Sequence, residues 1–213
     1  MSKQFWGVVA VIVLIFVGVF ALQGNKDKSS SSSAAAKPSE HITGKGSSGV
    51  TLVEYGDFQC PYCQQYEPII SAAVAKYSDQ IFFQFRHFPL VNNHPNAFAA
   101  ARAAEAAGKQ GKFWEMHDLL YQTSNWQVWT SATDPVPEFN KYAVSLGLDE
   151  AKFKTDFASS AVNNTINADM AAGTKLDVQG TPTFFINGKQ VTIKATPTDF
   201  EKAITDAIAA QKK

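Results

Sequence analysis

Between Val50 and Phe88 the hydrophobic pattern changes period twice, and that change limits the fold more than any other feature of the 213 residues. Val50 to Tyr55 (VTLVEY) is a short β-rich run. Ile70, Ala73, Val74 and Tyr77 then fall at i, i+3, i+4 and i+7, the spacing of one helix face. Ile81 to Phe88 (IFFQFRHF) returns to strand composition. Strand, helix and strand in so short a stretch make a βαβ unit, hence a parallel pair with a right-handed crossover.

The rest of the chain extends this frame. Thr183 to Ile186 and Gln190 to Ile193 read as two more strands, joined through Asn187-Gly188, a strong hairpin signal. Thr196 is placed to cap a last helix, with Pro197 at its first position and Asp199 completing the capping pattern. Phe200, Ala203, Ile204, Ala207 and Ile208 give that helix an apolar stripe. From about residue 95 to 177 the patterning is helical throughout. The expected fold is therefore α/β, one domain over 47–213 with a βαβ…ββα frame and a helical insertion.

The first 46 residues differ in kind. Phe5 to Leu22 is an uncharged apolar run of eighteen residues, roughly 27 Å long as a helix and so close to bilayer thickness. It is longer than the apolar core of a secretory signal, and Val19-Phe20-Ala21 is a poor cleavage pattern. Residues 1–23 are expected to be an uncleaved transmembrane signal anchor. Lysines lie on both sides of the run, so the positive-inside rule does not orient it. Residues 24–46, with their serine run, bury too little apolar surface to fold and read as a flexible linker. The net charge of zero leaves no electrostatic footprint for nucleic acid.

Both cysteines of the chain lie in Cys60-Pro61-Tyr62-Cys63, where the first strand gives way to the helix. A sulfur there faces unpaired backbone N–H groups and the positive end of the helix dipole, which favour thiolate, the attacking species in disulfide exchange. Cys63, one turn along, is placed to resolve a mixed disulfide formed at Cys60. Pro61 gives up only an N–H that would have been unpaired. A structural zinc site is the competing reading of C-x-x-C. It needs four ligands; there is no second cysteine pair, and the four histidines (41, 87, 94 and 117) lack H-x₃₋₅-H spacing, so no metal is expected. His87 and His94 read as surface or helix-start residues, and Trp126 and Trp129 as packing or groove residues. Asn163-Asn164-Thr165 is a glycosylation sequon by pattern only.

In these residues the chain resembles the DsbA-like branch of the thioredoxin superfamily. The resemblance rests on Glu54-Tyr55-Gly56-Asp57-Phe58 followed by CPYC, on Pro68 within the helix, and on Gly180-Thr181-Pro182-Thr183-Phe184-Phe185-Ile186-Asn187-Gly188. Phe88-Pro89-Leu90 and Gly111-Lys112-Phe113-Trp114 are similar to parts of the family's helical insertion. It implies a thioredoxin fold with a central mixed sheet, Pro182 in cis against the two sulfurs, and a Thr181 backbone free to pair with an extended substrate. Glu54 is implied to be the buried acid that exchanges a proton with Cys63.

The function implied is a membrane-anchored protein-disulfide oxidase with its catalytic domain outside the cytoplasm, where disulfides persist. Unfolded exported proteins would be its substrates. A DsbB-like or vitamin K epoxide reductase-like membrane protein would be its redox partner. It would act as a monomer, with no cofactor beyond the Cys60–Cys63 disulfide. An isomerase or reductase of the same fold is an alternative, as Thr181 occurs in isomerase-like relatives too. CPYC is also the glutaredoxin motif, but the insertion and anchor argue against that family. A peptide-binding chaperone with an idle disulfide is the reading from another class.

Overall fold

The structure is a computed structural model that describes residues 36–212. The expected anchor, residues 1–23, lies outside the described residues, as does most of the expected linker. Among the described residues no helix is long and apolar enough to cross a membrane.

Among the described residues five strands form one mixed sheet in the order β1-β3-β2-β4-β5. The central strand β2 (Val50–Gly56) runs parallel to β3 (Ile81–His87), in register from Val50↔Ile81 to Gly56↔His87. The crossover between them is helix α1 (Pro61–Lys76), as the βαβ patterning predicts. On the other side β2 pairs antiparallel with β4 (Thr183–Ile186), which turns back into β5 (Lys189–Val191). The turn uses Asn187 at φ 50° and Gly188 at φ 78°, left-handed positions that this dipeptide tolerates. β5 ends two residues before the sequence pattern does. Ile193 has left the ladder, and its carbonyl accepts a 2.9 Å bond from the Tyr66 hydroxyl.

Helix α8 (Pro197–Gln211) opens on Thr196, whose hydroxyl accepts the Asp199 N–H, the cap read from the sequence. Its Phe200, Ile204 and Ile208 pack with Ile70 and Ala73 of α1 over Leu52, Phe83 and Phe184 of the sheet. The insertion between β3 and β4 is six helices: α2 (Ala97–Gly108), α3 (Phe113–Tyr121), α4 (Thr123–Ser131), α5 (Val136–Ser145), α6 (Glu150–Ala158) and α7 (Ser160–Lys175). Seven of the alanines in α2 are buried. Small side chains let neighbouring helices approach closely, and the space is filled by Trp129, Phe139, Phe153 and Ile166. At Gly173 of α7 a Cβ would lie 2.8 Å from the Phe88 ring and 3.0 Å from that of Tyr55, so only glycine lets α7 seat there.

Two expectations are corrected. The linker does not run to residue 46, because β1 (His41–Thr43) pairs antiparallel with the outer edge of β3, His41 opposite Phe85. Just before it, the Ser39 N–H and hydroxyl both bond the buried Asp169 carboxylate, at 2.9 and 2.6 Å. Hydropathy could not show this strand. Its one large apolar residue, Ile42, is exposed, and polar partners and ladder bonds hold the segment. His87 is not a surface residue either: it closes β3 and is buried.

Candidate active site

Cys60 is the N-cap of α1, in extended backbone, with Pro61 at the first helical position and no side chain capping the helix. The unpaired N–H groups of the first turn are thereby left to the sulfur. Its thiol also donates to the Thr181 carbonyl at 3.3 Å, which brings the strand before β4 up against it. The Thr181–Pro182 peptide bond is cis. Tyr62 projects outward, 65 % exposed, and shares with Tyr66, Thr181, Pro182 and Phe184 the lining of a shallow groove that ends on β5.

The two thiols are free and both buried, Cys60 at 3 % and Cys63 at 1 % exposure, yet their acidities diverge. A hydrogen bond from the Cys63 thiol is the largest influence bringing Cys60 down to about 6. Burial opposes it, and the Cys63 and Tyr62 N–H groups assist. Burial pushes Cys63 well up, reinforced by its bond to Cys60. One sulfur is thus a thiolate near neutral pH and its neighbour a thiol.

Glu54 is 1 % exposed. The pleat of β2 puts it on the same sheet face as Leu52, beneath α1. Its register partners on either side are Phe85 and Phe184, so no cation stands beside it in the sheet. Among the described residues Oε2 has no hydrogen-bond partner. Burial raises its pKa well above the carboxylate range, and Glu67 and Cys60 push the same way. Tyr121, buried behind the pair with an unpaired hydroxyl, is also pushed up by burial.

The structure therefore gathers every residue singled out in the sequence: Cys60, Pro61, Tyr62 and Thr181-Pro182 in front, Cys63 and Glu54 behind. It also adds residues that sequence reasoning missed. Asp57 folds the loop before Cys60: Oδ1 accepts the Gln59 N–H at 2.7 Å, while Oδ2 accepts the Leu90 N–H at 2.8 Å and lies 2.7 Å from His94 Nδ1. An aspartate two residues before a turn residue is the signal that could have found it. The Trp126 indole N–H donates to the Phe58 carbonyl at 2.8 Å. Gln59 donates to the Thr130 carbonyl and accepts the Asn96 N–H. The insertion thus clamps the loop from outside the sheet, with Trp126 as a clamp and Trp129 fully buried as packing.

Comparison with known proteins agrees with this geometry. A family model described as thioredoxin matches residues 36–206. The chain is 39 % identical, over 153 residues, to a protein named Na(+)/H(+) antiporter NhaA 1 from Mycolicibacterium gilvum (strain PYR-GCK), covering 71 % of this chain and 24 % of that one. It is 40 % identical over 151 residues to Na(+)/H(+) antiporter NhaA 3 of Salinispora tropica (strain ATCC BAA-916 / DSM 44818 / JCM 13857 / NBRC 105044 / CNB-440), covering 71 % and 22 %. The chain thus spans about a quarter of the length of these curated relatives.

Among solved structures it is similar to a thioredoxin-like oxidoreductase from Silicibacter pomeroyi DSS-3, at 26 % identity and TM-score 0.64, covering 81 % of this chain and 92 % of that one. BdbD from Bacillus subtilis, in its oxidised form, superposes with TM-score 0.66 at 21 % identity, covering 82 % and 97 %. For alpha-DsbA1 from Wolbachia pipientis the values are 0.67, 18 %, 83 % and 95 %. By its sequence and its sheet, cysteine pair and helical insertion, the chain belongs to the thioredoxin family, in the DsbA-like form of that fold.

Proposed function

We propose that the protein is an extracytoplasmic thiol–disulfide oxidoreductase that donates its Cys60–Cys63 disulfide to exported proteins. The observation that carries this reading is the split between the two sulfurs, one stabilised as thiolate beside the Thr181–Pro182 segment and the other kept protonated over Glu54. A client thiolate attacks the Cys60 sulfur of the oxidised pair, the Cys60–Cys63 bond breaks, and Cys63 leaves and takes a proton from Glu54. A second client thiolate then attacks the client sulfur of the mixed disulfide. Cys60 departs as a thiolate, and its low pKa makes it a good leaving group. The client has lost two electrons and the pair has gained them. A DsbB-like or vitamin K epoxide reductase-like membrane protein would return the pair to the disulfide. No cofactor beyond the disulfide enters this scheme.

Thr181 and Pro182 precede β4, beyond the last register pair Tyr55↔Thr183, so their backbone stands outside the ladder at the mouth of the groove. That is where an extended client segment would lie. We place the domain outside the cell membrane, single-pass and monomeric, held by Phe5 to Leu22. The relatives named as antiporters carry a segment like this one as part of a longer chain, which accords with work beside a membrane. Ion transport is not part of the reading.

The test is the redox state of the pair in growing cells, trapped by acid and read by alkylation. A mostly oxidised pair supports donation. A mostly reduced pair would instead favour the isomerase or reductase reading, to which Thr181 is also suited. No exchange with a chromogenic disulfide, in wild type as in Cys60→Ser, would leave a peptide-binding chaperone. Protease added to intact spheroplasts should release the domain, and full protection would sink the placement.

A further inference from the structure

Three donor atoms that sequence spacing gives no reason to associate meet beside the outer edge of the sheet. His41 comes from β1, His87 from the end of β3 and Glu105 from α2. His41 Nε2 lies 2.6 Å and His87 Nε2 2.9 Å from the same oxygen, Glu105 Oε1, and all three atoms fall within 4.8 Å of one another. His87 and Glu105 are buried, while His41 keeps one side open to solvent. We propose that this cluster is a binding site for a divalent cation of the zinc class, separate from the redox pair.

The donor chemistry selects the metal. Two imidazole nitrogens and one carboxylate oxygen suit zinc, which takes nitrogen and oxygen ligands at about 2.0–2.2 Å, whereas calcium and magnesium favour oxygen alone. Three protein ligands leave a fourth, open position, and the solvent side of His41 supplies the water for it. The surroundings hold the rings in place. Phe113 stacks on His41 with centroids 3.4 Å apart and planes 5° off parallel, and it meets His87 edge-on. An apolar wall of that kind fixes ligand orientation and lowers the local dielectric.

The geometry needs a small adjustment. Tetrahedral ligands at zinc distances lie about 3.4 Å apart, so the two hydrogen bonds to Oε1 must open by roughly 0.5–0.8 Å. The Glu105 side chain has three torsions for this, and β1 is a three-residue edge strand. On binding, each ring must present a bare Nε2: a neutral imidazole shifts its proton to Nδ1, a protonated one releases its Nε2 proton to solvent, and the two contacts to Glu105 Oε1 give way to two N–Zn bonds. Nothing is oxidised or reduced. The ion would bolt β1 to β3 and α2, beyond what three residues of ladder provide. It would do so whether or not Cys60 and Cys63 act as proposed.

The test uses the full-length chain in mild detergent, oxidised so that the thiols are tied up, and stripped with a chelator. Titration with Zn²⁺ against a chromogenic chelator should show one equivalent bound, with a rise in melting temperature. His41→Ala should lose both, with its circular dichroism unchanged. Because losing His41 could loosen β1, Co²⁺ in the wild type decides independently: intense visible bands of a tetrahedral ion are expected. No equivalent bound by wild type, an equivalent retained by folded His41→Ala, or the weak bands of six-coordinate Co²⁺ would each overturn the site.

Discussion

The front and back of the α1 start place two sulfurs in opposite chemical settings. In front, Cys60 has the helix N–H groups and the Cys63 thiol to spread a negative charge. Behind, Cys63 has Glu54 and apolar rings, and burial dominates. The same helix terminus serves both, so the helix dipole alone does not explain the divergence. Hydrogen-bond supply does: a buried group ionises where donors converge and stays neutral where they do not. The insertion takes part by holding the loop that aims Cys60, through Trp126, Gln59 and Asn96.

Swapping serine into each position breaks the comparison most directly. Cys60→Ser should lower the rate of disulfide exchange by at least roughly a thousandfold, because the chain has no other thiol outside the pair. Cys63→Ser should instead accumulate mixed disulfides with clients, visible on non-reducing gels. Trapping by Cys60→Ser and not by Cys63→Ser would reverse front and back. In wild type, the rate of Cys60 alkylation against pH should turn over near 6.

Glu54 tests the back. Its folded pKa is raised, so between the unfolded value and the folded one the native state holds a proton that the unfolded state has released. Stability therefore falls as pH climbs through that window, by about 1.4 kcal/mol for each pH unit crossed. Glu54→Gln removes the titration and should stabilise the protein by at least about 1 kcal/mol at pH 8, with little effect at pH 4. The variant should also resolve mixed disulfides more slowly, since Cys63 loses its proton partner. Urea unfolding at the two pH values checks the first claim, and equal gains at both would show that the carboxyl does not titrate between them.

Much of this was legible in the sequence because it is local. The βαβ unit, the hairpin at Asn187-Gly188, the Thr196 cap and the cysteines at the strand–helix junction each depend on residues a few positions apart. Resemblance marks Glu54 in the sequence, but not its isolation. That required the register that sets Phe85 and Phe184 on either side of it. The clamp on the loop, the Asp57–His94 contact and the meeting of His41, His87 and Glu105 are all convergences of distant segments. β1 is illegible for another reason: an edge strand held by polar partners leaves no hydrophobic period to read.

The finest test concerns Tyr62, the outward residue between the sulfurs. A disulfide oxidises more strongly the more its reduced form is stabilised, and here the thiolate of Cys60 supplies that stabilisation. With the folded value near 6 against 9.0 for a free thiol, the effect grows as pH rises from 6 to 9 and is lost below 6. At pH 7 it comes to about 1.4 kcal/mol, or about 30 mV for two electrons. The exposed phenol ring gives the sulfur no charge. A value near 6 falls between those of about 3.5 for DsbA and about 7 for thioredoxin, whose potentials are about −120 and −270 mV. The potential of this protein should lie between them. Tyr62→His would place a partly cationic ring beside the thiolate, and each further tenfold gain in acidity adds about 30 mV. Equilibration of both variants with glutathione buffers should show the histidine form more oxidising by tens of millivolts. An unchanged or more negative potential would mean that the Cys63 thiol and the helix N–H groups, not the residue between the cysteines, set the poise of the front sulfur.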